Sequence, residues 1–157
     1  MLSRFKFRHI IIIVFSLVLT LLSSCTSRHT TAILGDVETY IQDRPDSALA
    51  VIRAIDTTTL TTRSLRAQYS LLHAIALDKN WIDTTDVGVV MPAVTYYDRH
   101  PSGIRRAKAW YYLGRIQENS GDYTTANISF LKAEKLAGDK ADVNFKSLIY
   151  QSLSNTY

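Results

Sequence analysis

Cysteine, proline and glycine are all scarce in this chain of 157 residues, which has one, three and six of them respectively. A single cysteine excludes an intrachain disulfide. The scattered glycines form neither G-x-x-x-x-G-K-[ST] nor G-x-G-x-x-G, the two patterns whose loops cradle phosphates. The sequence therefore argues against a disulfide scaffold and against a nucleotide-binding loop.

Histidine is also rare, and none of the four histidines lies in an H-E-x-x-H pattern. His9 and His29 lie near the N-terminus, while His73 and His100 belong to different predicted helices and have no Asp or Glu at ligand spacing. Packing is the ordinary role for His73 and a helix-end contact for His100, with a metal site as the alternative. No serine has partners that suggest a nucleophile. We predict no metal, no cofactor and no enzymatic activity.

The first 24 residues have the organisation of a signal peptide. Arg4, Lys6 and Arg8 precede an apolar run from Ile10 to Leu22. A membrane-spanning helix needs about 20 apolar residues, so this shorter run fits an export leader better than a transmembrane segment. We predict a signal peptide over residues 1–24.

The leader ends in Leu22-Ser23-Ser24-Cys25, which resembles the lipobox of bacterial lipoproteins. The resemblance implies that Cys25 is lipidated and that residues 25–31 form a polar tether. Thr26 in place of aspartate, and the lack of acidic residues in the tether, imply an outer-membrane location facing the periplasm. A buried structural thiol and a catalytic nucleophile are the alternatives for Cys25.

The excess of basic residues is small once the predicted leader is set aside. The chain has 18 Lys and Arg against 14 Asp and Glu. Removing Arg4, Lys6 and Arg8 leaves 15 against 14, a net charge near +1. Such a balance gives no electrostatic signature of nucleic-acid binding. We therefore predict no nucleic-acid partner.

Apolar residues recur at three- and four-residue spacing along the rest of the chain, and no segment alternates as a strand would. The pattern predicts an all-α domain over residues 32–157 with about seven helices. The predicted helices cover residues 33–43, 45–55, 65–79, a segment around Ala93 and Tyr97, 104–119, a segment containing Ala126 to Ala133, and 143–157.

The most informative segment runs from Ala107 to Ala133. Its landmarks are Trp110, Leu113, Gly114, Ala126, Phe130 and Ala133, and their spacing resembles that of a tetratricopeptide repeat. Gly114 leaves room for a partner helix, Gly121 suits a left-handed helix end, and Asp122 can cap the next helix. The resemblance implies antiparallel helix pairs stacked in a right-handed α-solenoid, with the best repeat over residues 107–140.

A second, partial copy is predicted over residues 143–157, where Tyr150 and Leu153 take the places of the packing tryptophan and leucine. Either the chain is a fragment of a longer array, or this last helix is a cap. Residues 66–83, 93–100 and 107–123 also resemble a group of repeat lipoproteins from gut Bacteroidota, a resemblance that carries little functional knowledge.

The predicted binding surface lies on the fifth helix. Its residues follow one another at three- and four-residue steps: Lys108, Tyr111, Arg115 and Glu118. The resemblance implies that this face lines the concave groove of the solenoid. Tyr111 and Arg115 stand where carboxylate-clamping repeats offer lysine and asparagine, which favours an acidic or aromatic-bearing peptide. An ordinary solvated helix face is the alternative.

Together these features predict a membrane-anchored scaffold or adaptor at the periplasmic face of a bacterial envelope, which binds a protein or peptide without catalysis. A first alternative is the N-terminal sensor part of a longer signalling or transcription regulator. A second is a glycan-capture lipoprotein. That function would need exposed aromatic rings in a flat platform, for which the candidates are Tyr96, Tyr111, Tyr112 and Tyr123.

Overall fold

The computed structural model describes residues 28–100, 102–138 and 141–156. The predicted leader and Cys25 lie outside these residues. Within them the chain forms seven α-helices and no strand, which confirms the all-α class. None of the described helices is both long enough and apolar enough to span a bilayer.

The seven helices follow one another along the chain. They are α1 (described over residues 28–40), α2 (Pro45–Ala54), α3 (Arg63–Lys79), α4 (Met91–Arg99), α5 (Ile104–Asn119), α6 (Tyr123–Ala137) and α7 (Val143–Asn155). Short 3-10 turns at Thr57–Thr59 and Val87–Val89 lie in the α2–α3 and α3–α4 connections.

Polar side chains fix where three of the helices begin. Thr62, Asp122 and Asp142 precede α3, α6 and α7, and a side-chain oxygen of each accepts a hydrogen bond of 2.8–3.1 Å from the backbone N–H three residues further on. Each bond satisfies a donor that the first helical turn leaves without a partner. The capping role predicted for Asp122 is confirmed.

The N-terminal helix begins earlier than predicted. Residues 28–31 belong to α1 rather than to the polar tether predicted over residues 25–31. Thr30 is buried, and its hydroxyl lies 3.1 Å from that of Thr59. Thr30 precedes the buried Leu34 by four residues and so continues the same inward face. A partner for its hydroxyl makes this burial acceptable.

Consecutive helices run antiparallel. Asn80, at the end of α3, donates a 2.8 Å hydrogen bond to the carbonyl of Pro45, at the start of α2. The contacts between α5 and α6 show the same direction, because residue numbers decrease along α5 as they increase along α6. Gln117 contacts Ser129, Gly114 contacts Phe130, and the Trp110 ring contacts the Lys132 ammonium. Helices α5 and α6 are thus an antiparallel pair joined by residues 120–122.

Most of the landmark residues of this pair are buried. Leu113, Ala126, Phe130 and Ala133 all belong to the core. A Cβ atom added to Gly114 would lie 2.5 Å from the Phe130 ring. Glycine at this position therefore lets an aromatic ring of α6 rest against the backbone of α5.

Tyr150 is the landmark whose predicted packing role is wrong, because it is 55 % exposed. It directly follows the buried Ile149, and successive helical residues point about 100° apart. The inward face of α7 is formed by Phe145, Ile149 and Leu153. The burial predicted for Leu153 is therefore correct, while Tyr150 points outward.

Trp110 is only partly buried and has a polar role. Its Nε1 donates to Asp98 at 2.9 Å, and the Lys132 ammonium lies 3.5 Å from its ring centre. Arg106 and Lys132 also donate to Asp98, at 2.9 and 3.2 Å. Partial burial opposes ionisation of Asp98, but these three hydrogen bonds outweigh it and lower the pKa of the carboxyl. Asp98 thereby links α4 to α5 and α6.

Candidate functional site

Tyr111 does not face a groove, contrary to the prediction from spacing. It is 3 % exposed, and its ring centre lies 5.6 and 5.5 Å from those of Phe130 and Phe145. Ser152 Oγ donates to its hydroxyl at 3.4 Å, and burial raises the pKa of the phenol. The prediction is wrong because α5 is covered by both α6 and α7. Tyr111 is therefore a core residue between these helices.

The other three predicted groove residues do not share one surface either. Arg115 donates to Asp78 at 2.9 Å and forms a second ion pair with Glu118, so both predicted residues have partners within the protein. Lys108 lies apart from them, at a cavity of about 230 Å³ that Tyr112 also lines. The four residues therefore do not form the predicted peptide groove.

The four tyrosines considered for glycan binding form no flat platform. Tyr111 and Tyr112 are buried, and Tyr123 is exposed at the start of α6. Tyr96 is half-buried and stacks on His100, with ring centres 4.5 Å apart. The arrangement therefore offers no observation in favour of a glycan surface.

The antiparallel order gives the described domain two distinct ends. One end, here called the basic end, contains the described residues of 28–31, 53–66 and 99–106. The Thr30–Thr59 contact joins the first two of these segments, and a cavity lined by Ser64 and Ser102 joins the second and third. The start of α1, the α2–α3 connection and the α4–α5 connection therefore meet at this end.

The opposite end, here called the acidic end, contains residues 41–48, 76–88 and 117–124. The Asn80 to Pro45 hydrogen bond joins the first two segments. Asn119 Nδ2 donates to the carbonyl of Thr84 at 3.2 Å and joins the second and third. The α1–α2, α3–α4 and α5–α6 connections therefore lie together.

Charge is strongly segregated between these ends. The basic end contains Arg28, Arg53, Arg63, Arg66, Arg99, Arg105 and Arg106 against Asp56. The acidic end contains Asp43, Asp46, Asp78, Asp83, Asp86, Glu118 and Asp122 against Arg44 and Lys79. The positive excess of one end and the negative excess of the other nearly cancel in the net charge, so composition alone does not reveal this segregation. Partners outside these segments neutralise some of the charges: Glu38 and Asp98 pair with Arg105 and Arg106, and Arg115 pairs with Asp78 and Glu118. The remaining charges still favour ligands of the opposite sign at each end.

A cleft of about 410 Å³ between α3 and α4 opens at the basic end. Its walls are formed by Arg63, Arg66, Pro92, Thr95, Tyr96, Arg99 and His100. No carboxylate is among these residues, and none of the three arginines forms an ion pair with a described residue. We call this the basic cleft.

The geometry of the basic cleft combines fixed donors with a flat wall. Arg66 is held by a 2.9 Å hydrogen bond from its guanidinium to the carbonyl of Leu60. Tyr96 and His100 stack within 14° of parallel. These two rings also line a neighbouring cavity of about 300 Å³. A guanidinium fork matches the two oxygens of a carboxylate, so the cleft can bind carboxylates beside an aromatic surface.

Arg105, which borders the neighbouring cavity, differs from the cleft arginines because its charge is neutralised. Its guanidinium makes two hydrogen bonds to Glu38, at 2.9 and 2.6 Å. Partial burial opposes ionisation of Glu38, but Arg105 lowers the pKa of this carboxyl overall. Because Glu38 neutralises Arg105, the cleft arginines Arg63, Arg66 and Arg99 are the groups of this surface that can bind an anion.

Sequence reasoning missed the basic cleft because its arginines lie at the beginning of one helix and at the end of the next. The one local signal is the R-x-x-R spacing of Arg63 and Arg66, which places both on one face of α3. Arg99 joins them only through the packing of α4 against α3. A spacing rule within one helix cannot find such a set.

Comparison of the chain with protein-family models, with curated proteins and with solved structures gives no match. The likeness to tetratricopeptide repeats therefore rests on the landmark residues themselves. Among the residues that the structure describes, no group of three or more His, Cys, Asp or Glu side chains could hold a metal ion.

Proposed function

We propose that this protein is a non-catalytic adaptor of the bacterial cell envelope, whose basic cleft binds an acidic segment of a partner protein. In this proposal its helix pairs form a tetratricopeptide-like right-handed solenoid. A lipid on Cys25 anchors it at the periplasmic face of the outer membrane. The observation that carries the proposal is the cleft with three arginines that form no ion pair with any carboxylate the structure describes.

The placement of these arginines supports an anionic ligand. Arg63 and Arg66 lie three residues apart on α3, where like charges destabilise a helix by a few tenths of a kcal/mol. Arg99 adds a third positive charge from α4. A bound carboxylate relieves this repulsion and gains charge-assisted hydrogen bonds.

The shape of the cleft favours a peptide over a flat surface. Its volume of about 410 Å³ lies within the roughly 300–1,000 Å³ typical of pockets that enclose a ligand. The Tyr96 and His100 rings offer an apolar wall for the stem of a glutamate or a neighbouring side chain. An acidic peptide segment can use both the charge and the wall.

The proposed lipid anchor would hold the cleft near the membrane. Residue 28, where the description of α1 begins, is three positions after Cys25, a distance of at most about 10 Å in an extended chain. The start of α1 lies at the same end as Arg63 and Arg99. The acidic segment would therefore be captured close to the membrane surface.

The test is the binding of a fluorescein-labelled, glutamate-rich peptide to the protein without its leader, measured by fluorescence anisotropy. We expect saturable binding that weakens with salt. The double variant Arg63→Glu/Arg99→Glu should bind at least about tenfold more weakly, since it reverses two cleft charges. The control Arg53→Glu/Lys135→Glu changes the net charge equally, at exposed residues outside the cleft.

Two results would contradict the proposal. Equal weakening in the cleft variant and the control would show that only net charge matters. Absence of peptide binding, combined with cleft-dependent binding to phosphatidylglycerol vesicles, would assign the cleft to lipid head groups instead.

A further inference from the structure

Trp81 has an unusual backbone conformation for a large residue. At the end of α3, the N–H of Ile82 donates to Leu77 at 3.0 Å and that of Trp81 to Asp78 at 3.1 Å. Many helices end with this pair of backbone hydrogen bonds. The pair places the residue at this position, here Trp81, in the left-handed region, where glycine is usual. Trp81 has φ of 57° and is the one described non-glycine residue with positive φ.

No packing within the described chain compensates for this conformation. The side chain of Trp81 is 90 % exposed. Two further apolar residues of the same connection are exposed as well: Ile82 and Val87. An exposed apolar group on a strained backbone is characteristic of a functional surface, because stability alone favours neither feature.

Carboxylates surround this connection. Asp83 and Asp86 lie within it, and the Asn80 to Pro45 hydrogen bond brings the α1–α2 turn with Asp43 alongside. Asp43 and Asp83 are exposed and make no ion pair with a described residue. Carboxylates therefore outnumber the nearby cations, Arg44 and Lys79, around these apolar residues.

We infer that residues 81–88, here called the Trp81 loop, are a second docking surface, with Trp81 as its anchor. The occupant is a partner protein whose apolar pocket is bordered by lysine and arginine. The surrounding carboxylates supply the charge complementarity, and tryptophan is enriched among residues that dominate interface energies. This inference is independent of the basic cleft.

Two observations argue against a membrane as the occupant. The carboxylates around the Trp81 loop are repelled by anionic lipids. The loop also lies at the acidic end, away from residue 28 and the start of α1.

The first measurement uses Trp81 as its own reporter. The chain has two tryptophans, so Trp110→Phe leaves Trp81 as the single indole. The protein is titrated with a helical peptide that has leucine on one face and lysine on the others. We expect a saturable blue shift of the emission, and no shift with the same peptide carrying glutamate in place of lysine.

The second measurement follows the labelled lysine peptide by anisotropy in three variants. Trp81→Gly should weaken binding at least about tenfold, because it removes the anchor while retaining a residue suited to the left-handed turn. Asp43→Asn/Asp83→Asn should weaken it less and reduce its salt dependence. The control Asp36→Asn/Glu134→Gln, equal in charge and outside this surface, should bind as the parent does.

Several outcomes would overturn the inference. A blue shift with the glutamate peptide, or with phosphatidylglycerol vesicles, would show that Trp81 responds to any apolar surface. A shift on raising the protein concentration alone would identify a second copy as the occupant. Unchanged lysine-peptide binding by Trp81→Gly would remove Trp81 from the surface. Binding of the glutamate-rich peptide to Trp81→Gly reports separately on the basic cleft.

Discussion

Helices α3 and α5 end in the same hydrogen-bonded turn but fill its left-handed position differently. Helix α5 uses Gly121, with φ of 79°, and α3 uses Trp81, with φ of 57°. Glycine adopts this conformation without strain, whereas another residue costs roughly 1–2 kcal/mol. The turn after α5 is therefore the more stable solution. In the turn after α3, the backbone of Trp81 is strained and its indole is exposed to solvent.

The α5–α6 hairpin also has a close glycine contact in its interior, and the α3–α4 hairpin does not. In the α5–α6 hairpin, Gly114 lets the Phe130 ring rest on the helix backbone. Helix α3 contains no glycine, and its His73 is half-buried beside Tyr69 at a ring-centre distance of 5.7 Å. Burial, with a smaller effect of Arg53, lowers the pKa of His73, so its neutral form is favoured in the fold.

The α3–α4 hairpin, whose two helices contain no glycine, is the one that carries both proposed binding surfaces. The α3–α4 hairpin forms the basic cleft along its length and the Trp81 loop in its long connection, residues 80–90. The α5–α6 hairpin, with its connection of residues 120–122, mainly supplies core. Departures from local packing rules thus coincide here with the candidate sites, as expected where function competes with stability.

The largest effect should come from filling the close contact in the α5–α6 hairpin. Gly114→Ala places a Cβ atom 2.5 Å from the Phe130 ring, which must move. Overpacking of this kind costs about 1–3 kcal/mol. Urea unfolding should show the loss, and Phe130→Leu in the same chain should recover part of it.

Gly35→Ala is the matched control for this substitution. Gly35 lies in α1, and a Cβ atom there meets nothing within 4 Å. Alanine should therefore stabilise the protein by about 0.5–1 kcal/mol through its better helix propensity. Equal destabilisation by both substitutions would show that the Gly114–Phe130 contact has no special role.

A smaller effect is expected where the two hairpins are joined. Asp98 on α4 accepts hydrogen bonds from Arg106, Trp110 and Lys132. Asp98→Asn should lower the free energy of unfolding by about 1 kcal/mol at neutral pH, a value reduced by partial exposure to solvent. Denaturant unfolding of both proteins across a pH series measures this difference.

The pH dependence of that difference has a definite sign. The folded pKa of Asp98 is lowered by its three hydrogen bonds, although burial opposes the effect. The stabilisation is therefore present above the unfolded value of about 3.9 and is lost as pH falls through the folded pKa. The parent and Asp98→Asn should converge in strong acid. A difference that persists unchanged below pH of about 2 would contradict this account.

Effects of about 1 kcal/mol or less, opposite in sign, should come from exchanging the residues of the two turns. Trp81→Gly should stabilise the fold by about 0.5 kcal/mol, because relief of backbone strain exceeds the added entropy of the unfolded chain. Gly121→Ala should destabilise it by about 1 kcal/mol. Thermal unfolding of the two variants tests the comparison. A loss of stability in Trp81→Gly would show that the indole has packing partners in solution.

Much of the fold followed from local patterns. The seven helices, the cap at Asp122, the left-handed glycine at Gly121 and the tight contact at Gly114 were all predicted from spacing and residue type. Each depends on a single helix or on two consecutive ones. Tyr111 was mispredicted because a helix that contacts several neighbours buries more than one face, and periodicity identifies only the dominant one.

The sequence by itself determined the helical elements, because hydrophobic periodicity, capping side chains and glycine positions act over a few residues. Only the tertiary structure decided which charges are paired, since Arg115 meets Asp78 and Arg105 meets Glu38 across many residues of chain. It also gathered Arg63, Arg66 and Arg99 into one cleft and left Trp81 in solvent. These outcomes depend on which helix ends lie together, and no local pattern specifies that.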